Sequence, residues 1–258
     1  IDVLSKNINL FDDNNIKVCI SDHQTVSISN NKLKVYDYFK SESFIPKYEV
    51  PNSKKDFLLK LNKLGFPSKN VCVKPFISHG SRGVKVITDD PKKYGYSTDK
   101  RPYNIFISLT DFIKSIDSYF PSIYLVEYLP GEEWGIDIFI DPAENKRIIA
   151  TRNNGHVQSS AISCGRLVKN NELFKIADKL IKALNFKYII NVDIKYSLDE
   201  KPKIIEINPR VPATVNLISN AGNNLPLISI KRAIGEKVLF HDVEYGKKIF
   251  FYKRSHIS

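Results

Sequence analysis

Methionine is absent from all 258 positions, tryptophan occurs once, and cysteine only three times. No apolar run approaches the roughly 20 residues that a membrane-spanning helix needs, and the first residues lack the basic-then-apolar pattern of a secretory leader. A disulfide framework is not expected either. Cys19, Cys72 and Cys164 are odd in number and far apart, which predicts reduced thiols in a cytoplasmic protein, packed as small buried hydrophobes. A chain that opens at Ile1 without any methionine is expected to be a segment of a longer product. The other reading is that methionines are missing from the sequence as written, which would shift local spacings by one.

Hydrophobic residues make up 42% and charged residues 26%, the balance of an ordinary globular protein. The length allows one large or two modest domains. A net charge of +11 favours anionic ligands without choosing between a nucleotide and a polymer. The lysines are spread along the chain, with no basic stripe interleaved with aromatics, so nucleic acid is not the expected partner. The five histidines show no metal-ligand spacing; His79 and then His156 are the ones whose positions draw notice.

Periodicity divides the chain into alternating helices and strands. Residues 2–15 read as a helix ending in a polar turn, and 17–20 as a short strand. The stretch 25–41 reads as helical in its second half. DFLLKLNKLGF (56–66) is an amphipathic helix with Gly65 as its stop. NVCVKPF and GVKVIT flank ISHGSR as a predicted hairpin. The polar segment 88–104 is long enough for a lid or insertion, and 108–120 reads as a helix capped by Ser108 or Thr110. Strands are then expected at IYLVEYL, WGIDIFID and RIIATRN, a helix over 173–186, and two strands at YIINVDIKYS and KPKIIEINPR. The tail predicts one more helix (LPLISIKRAIG) and one more strand (KKIFFYKR). Without strict βαβ alternation, repeats or low-complexity segments, the pattern predicts an α+β fold with mostly antiparallel sheets.

Three constellations carry chemistry. In VCVKPFISHGSRGVKVI, Lys74 ends a strand, and the loop brings Ser78, Gly80, Ser81, Arg82 and Gly83. Glycines permit close backbone approach and successive N–H groups can cradle phosphate; the alternative is a plain charged hairpin. In YLVEYLPGEEWGIDIF, a strand ends at Glu127, Tyr128 and Leu129, with Glu133 just beyond. A strand end can pair with an adenine edge and a glutamate with ribose hydroxyls; the alternative is a solvated glutamate pair. In NVDIKYSLDEKPKIIEINPR, alternation places Asp193 with Asn191 and Lys195 on one face, and Glu206 with Asn208. Pairing of the two strands would set Asp193 opposite Glu206. Two carboxylates and an amide oxygen are hard donors of the kind Mg2+ takes; the alternative is a solvent-facing hairpin neutralised by Lys195.

The ordered set VKPFISHGSRGV, VEYLPGEEW, NVDIKY and IIEINPR resembles the ATP-grasp superfamily, in the branch similar to the carbamoyl-phosphate synthase large chain. The likeness continues through AGNNLPLISIKRAIGE and covers most of the chain. It implies an ATP-grasp fold of two α+β subdomains gripping ATP. The implied division is 1–40 as the end of a preceding α/β domain with a linker helix, 41–126 as the small subdomain, and 127–258 as the large one. The implied ligands are ATP and Mg2+, with Mn2+ as an alternative. Lys32, Lys74 and the residues of the 78–83 loop would contact phosphates, Glu127, Tyr128 and Leu129 would line the adenine site, and Glu133 would bind ribose. Asp193, Glu206 and Asn208 would hold the metal. Arg210 and Lys74 would act on the transferring phosphoryl group, and Arg152 is a weaker candidate on the acceptor side. Where several family members place Glu or Gln, this chain has Asp193, a shorter reach.

The implied activity is a ligase that activates a carboxylate as an acyl phosphate for attack by an amine or similar nucleophile. Its partners would be a small-molecule carboxylate, a nucleophilic co-substrate and an N-terminal domain in cis, with room for a homodimer and none for a membrane. Carbamoyl-phosphate-synthase-like action on bicarbonate or carbamate is the neighbouring reading. A non-catalytic nucleotide-binding module is the reading from a different class.

Overall fold

The computed structural model describes residues 1–76, 83–91, 105–116, 120–144, 146–155 and 164–250. Two short helices, α1 (Asp2–Lys6) and α2 (Ile8–Asp13), stand where one is predicted. Asn7 separates them, its Nδ2 donating to the Val3 carbonyl at 2.8 Å, the local competition that makes Asn a poor interior helix residue. Residues 17–20, expected as a strand, join no sheet; Ile20 N folds back onto the Val18 carbonyl at 3.1 Å. Without a ladder partner an apolar tetrad has no reason to be a strand. Cys19 within it is exposed, contrary to expectation, whereas Cys72 is buried.

Helix α3 (His23–Ser29) occupies the first half of the 25–41 stretch, where only the second half is predicted helical. The Asp22 carboxylate caps it, accepting from Thr25 N at 2.9 Å and Thr25 Oγ1 at 3.1 Å, and Thr25, Val26 and Ser29 are buried. Cap and packing outweigh the weak helix propensity of a β-branched run. Helix α4 (Lys32–Tyr38) follows, capped by Asn31.

Two compact units divide the chain, Pro46–Leu129 on one hand and Ile1–Ile45 with Pro130–Ser258 on the other. The first contains β1 (Tyr48–Glu49), α5 (Lys54–Lys63), β2 (Val71–Pro75), β3 (Lys85–Thr88), β4 (Phe106–Ser108), α6 (Leu109–Ser115) and β5 (Ile123–Glu127). Among the described residues its sheet runs β1-β5-β2-β3-β4, antiparallel except for β3 with β4. The hairpin predicted for 70–88 forms, with Cys72 opposite Val86. Ser53 caps α5, and Gly65, at φ +101°, turns the chain just past its end. Phe57 and Leu61 on α5 are fully buried against Val71, Val73, Ile87, Phe112 and Leu125, each such side chain contributing about 2 kcal/mol by leaving water. Ser108, not Thr110, caps α6, accepting from Asp111 N at 3.0 Å, and the helix stops at Ser115, short of the predicted 120.

The second unit continues with β6 (Glu133–Ile140), β7 (Arg147–Gly155), β8 (Cys164–Leu167), α7 (Asn171–Ala183), β9 (Tyr188–Tyr196), β10 (Pro202–Asn208), α8 (Val215–Ser219), α9 (Leu225–Ala233) and β11 (Lys248–Phe250). These strands form an antiparallel sheet in the order β10-β9-β6-β7-β8-β11. Helix α7 buries Leu173, Ile176, Ala177 and Leu180, the i, i+3, i+4, i+7 stripe of an amphipathic helix, and Asn170 caps it. Phe139, Ile148, Ala150, Leu167 and Ile189 pack with Leu217, Ile218, Leu225 and Ile228 from α8 and α9. The mixture of helices with largely antiparallel sheets is the α+β architecture the sequence predicts. No helix among the described residues is long and apolar enough to cross a membrane.

Candidate functional site

The face of the large sheet that carries Phe139, Ala150 and Ile189 turns polar further along the same strands. Residues directly opposite one another on paired strands share a face, and two such rows cross four strands. Arg152 (β7) faces Gly135 (β6), which faces Asp193 (β9), which faces Glu206 (β10). The next row is Ala150, Asp137, Asn191 and Asn208. Pairing of β9 with β10 therefore brings Asp193, Glu206 and Asn208 together, as alternation predicts. A bulge between Ile204 and Glu206 interrupts the ladder immediately before the site, a device that re-aims side chains.

Asn208 Nδ2 donates to Glu206 Oε1 at 3.1 Å and to Asp193 Oδ2 at 3.3 Å, while its Oδ1 accepts from Arg210 Nη2 at 3.2 Å. Arg210 is exposed at the strand end and also donates to the Val211 carbonyl. Lys32, from the start of α4, pairs with Glu206 Oε2 at 2.7 Å. Lys195, which a solvent-facing hairpin would set against these carboxylates, instead pairs with Glu133 at 3.1 Å. The Asp193 carboxyl is pushed up to about 7, first by burial and then by the neighbouring Glu206 charge. Glu206 is held below the ordinary range: burial opposes this, but the Lys32 charge and hydrogen bond, with help from Asn208 and Asp193, outweigh it.

Beneath Asp193 lies a buried ionic network. Arg152 is 1% exposed, its Nε 3.4 Å from Asp137 Oδ2 and its Nη1 donating to Asn154 Oδ1. Asp137, fully buried, also accepts from Asn191 Nδ2 at 3.0 Å. Gly135 makes the slot: a Cβ there would stand 2.2 Å from Arg152 Nη2. Sequence reasoning misses Asp137 and Asn154, gives Asn191 no role, and places Arg152 only loosely. The usable signal is the Glu133, Gly135, Asp137 alternation within an otherwise apolar strand.

The other sequence candidates lie as follows. Lys74 is half-buried on β2, opposite Tyr124 on β5. Gly83 adopts φ +73°, and a Cβ there would press on Pro75 Cγ at 3.2 Å, so a glycine is required at the start of the returning strand. Ser78, Gly80, Ser81 and Arg82, with His79 and His156, fall outside the described residues. Glu127 ends β5, its carboxylate accepting from Lys47 N at 2.8 Å. Tyr128 meets Phe106 edge-on at 5.8 Å, and Leu129 is buried.

No group of three His, Cys, Asp or Glu side chains among the described residues is arranged for a metal ion. The site offers two carboxylates and one amide, all hard donors once the Asn208 amide makes a half-turn. The adjacent Asp193 and Glu206 carboxyls, the first pushed up by burial and by the charge of the second, offer hard oxygen donors of the kind a small divalent cation takes.

The fold is shared with solved structures of other proteins. Similar solved structures include the Staphylococcus aureus N5-carboxyaminoimidazole synthetase complexed with ADP, 14% identical, with a TM-score of 0.66 over 88% of this chain and 57% of that one. The biotin carboxylase domain of the Hydrogenobacter thermophilus 2-oxoglutarate carboxylase, in complex with MgADP, ADP and bicarbonate, is 14% identical with a TM-score of 0.65, over 95% and 55% of the chains. An L-amino acid ligase from Bacillus licheniformis is 15% identical with a TM-score of 0.59, over 91% and 55%. The chain thus spans less than two thirds of the length of these structures. No curated protein sequence matches it. A family model described as ATP-grasp in the biosynthetic pathway with Ter operon matches residues 119–250, just over half of the chain. The chain belongs to this ATP-grasp family.

Proposed function

We propose that this chain is the grasp portion of a Mg·ATP-dependent ligase that activates a carboxylate as an acyl phosphate for attack by an amine or similar nucleophile. The observation that carries the reading is the alignment of Asp193, Glu206 and Asn208 on two paired strands, with Lys32 and Arg210 at its rim. Asp193, Glu206 and Asn208 would hold Mg2+, which neutralises phosphate oxygens when bound. Phosphoryl transfer asks a protein mainly for in-line positioning and charge stabilisation, and strand ends tied by cross-strand hydrogen bonds hold side chains rigidly for that purpose. Arg210, exposed and steadied by Asn208, would meet the migrating phosphoryl group or the acyl phosphate. Lys32, Lys74 and Gly83, with Ser78, Gly80, Ser81 and Arg82, would serve the phosphates. Glu127, Tyr128 and Leu129 would serve the adenine, and Glu133 the ribose.

The structural neighbours that hold ADP or MgADP support the nucleotide, and an amino acid ligase among them supports C–N bond formation. The neighbour that holds bicarbonate makes that ion one acid worth testing beside organic carboxylates. Calorimetric titration of ADP with and without Mg2+, into wild type and Glu206→Ala, tests the metal-dependent nucleotide site: Mg2+-dependent binding should be lost in the variant. Hydroxylamine trapping with ATP and a panel of acids, bicarbonate included, tests the chemistry. Hydroxamate with ADP release supports the ligase, whereas tight binding without turnover of any acid points to a non-catalytic module.

A further inference from the structure

Resting on the metal-site reading above, we propose that Lys32 is a resident counter-cation that competes with the divalent metal for Glu206, so that metal loading depends on nucleotide. Lys32 Nζ lies 2.7 Å from Glu206 Oε2, with both side chains about one-third exposed (29% and 32%). The pairing is built rather than incidental. Lys32 is the first residue of α4, where the positive end of the helix dipole disfavours a cation. One turn on, on the same helix face, the buried Tyr36 donates its hydroxyl to the Ile205 carbonyl at 3.3 Å. Ile205 is the extra residue of the bulge that precedes Glu206. Tyr36 thus clamps α4 to β10 in the register that delivers Lys32 to the carboxylate.

The other basic groups on this face have partners elsewhere: Lys195 pairs with Glu133, Arg152 with Asp137, and Arg210 donates to Asn208 and Val211. Among the described residues, Lys32 is therefore the cation paired with Glu206. A metal ligated by Glu206 at roughly 2.1 Å would bring a second positive charge within a few ångströms of the ammonium. One of the two must yield. The lysine stem is flexible and its head is a point charge equally suited to a phosphate, so nucleotide phosphates would draw Lys32 away and open Glu206 to the metal. Metal and nucleotide would then bind with positive coupling, which by linkage is reciprocal.

The test is Mn2+ binding, read by water-proton relaxation as a paramagnetic probe, with and without ADP, for wild type, Lys32→Gln, Lys32→Arg and Glu206→Gln. Lys32→Gln should bind Mn2+ alone about two- to fivefold more tightly than wild type, the size expected for losing one partly exposed ion pair. Lys32→Arg, which keeps the charge, should behave as wild type. The factor by which ADP tightens Mn2+ binding should shrink by the same two- to fivefold, about the value of that ion pair, in Lys32→Gln. Unchanged or weaker Mn2+ affinity in Lys32→Gln, with affinity lost in Glu206→Gln, overturns the inference and leaves the metal site standing. Full Mn2+ affinity in Glu206→Gln overturns the metal-site reading and the inference with it.

Discussion

Replacing Asp193 by Asn should make the metal-free protein more stable at pH 8 and, on the proposed metal-site reading, weaken its response to Mg2+. The Asp193 carboxyl is pushed up from 3.8 to about 7, chiefly by burial and then by the Glu206 charge. A carboxyl that binds its proton more tightly when folded favours the folded state fully at low pH, and that contribution disappears as pH rises from about 4 to about 7. The full shift would amount to roughly 4 kcal/mol above pH 7; solvent access and relaxation reduce this, and about 1–2 kcal/mol is the expected effect. Glu206 has the opposite sign, because its value is lowered in spite of burial, mainly by Lys32; its contribution is present above its ordinary range and fades in acid. Asn at 193 removes the first dependence and leaves the second in a weakened form. Urea unfolding in EDTA at pH 4.5 and pH 8 measures the difference: the variant's advantage should be present at pH 8 and nearly gone at pH 4.5. Added Mg2+ should stabilise wild type at pH 8 and the variant much less. An Asp193→Asn protein no more stable than wild type at pH 8, or equally favoured at both pH values, would refute the reasoning.

Gly135→Ala should lower stability by about 1–3 kcal/mol, because its Cβ would fall 2.2 Å from Nη2 of the buried Arg152 and push the guanidinium from its place beside Asp137; chemical denaturation reads this directly. Asp137→Ala should cost more, about 3–5 kcal/mol, by leaving Arg152 buried without its counter-charge, and the double change Asp137→Ala with Arg152→Met should recover part of that loss. Asn170→Ala removes the cap of α7, where its side chain accepts from Glu172 N and Leu173 N; about 1 kcal/mol should appear as a lower melting temperature with the Mg2+ response intact.

Alternation made the strands of the large sheet legible, because each strand must present one face to helices and one to another environment. The β9–β10 hairpin was legible in register as well: a short polar turn between two alternating runs leaves few ways to pair them, and Asp193 opposite Glu206 follows. Helix α3 was not legible from spacing: the Asp22 carboxylate caps a β-branched run whose periodicity marks no helix. What local sequence cannot carry is strand order. Arg152 and Asp193 belong to one row only because β6 lies between β7 and β9, and Asp137 sits in an apolar run that looks like any buried strand. Lys32 was legible as a basic group near the nucleotide, but its partner lies far along the chain and meets it only because α4 is clamped at the bulge of β10.

Set out as charges, the polar face explains why Asp193 is the perturbed group. Three of its four carboxylates have a basic partner: Asp137 with Arg152, Glu133 with Lys195, and Glu206 with Lys32. Asp193 forms no salt bridge among the described residues; it accepts from the neutral Asn208 amide at 3.3 Å and lies against the Glu206 carboxylate. Arg152 acts on it from a distance but is already committed to Asp137. A carboxyl so placed holds its proton to higher pH than an ordinary carboxyl. On the proposed metal-site reading, a carboxylate without a basic partner is the one a cation from solution would meet with least competition. On the proposed reading, Lys32 lowers the cost of holding Glu206 ionised beside Asp193, and the same lysine is the charge that must move when the metal arrives.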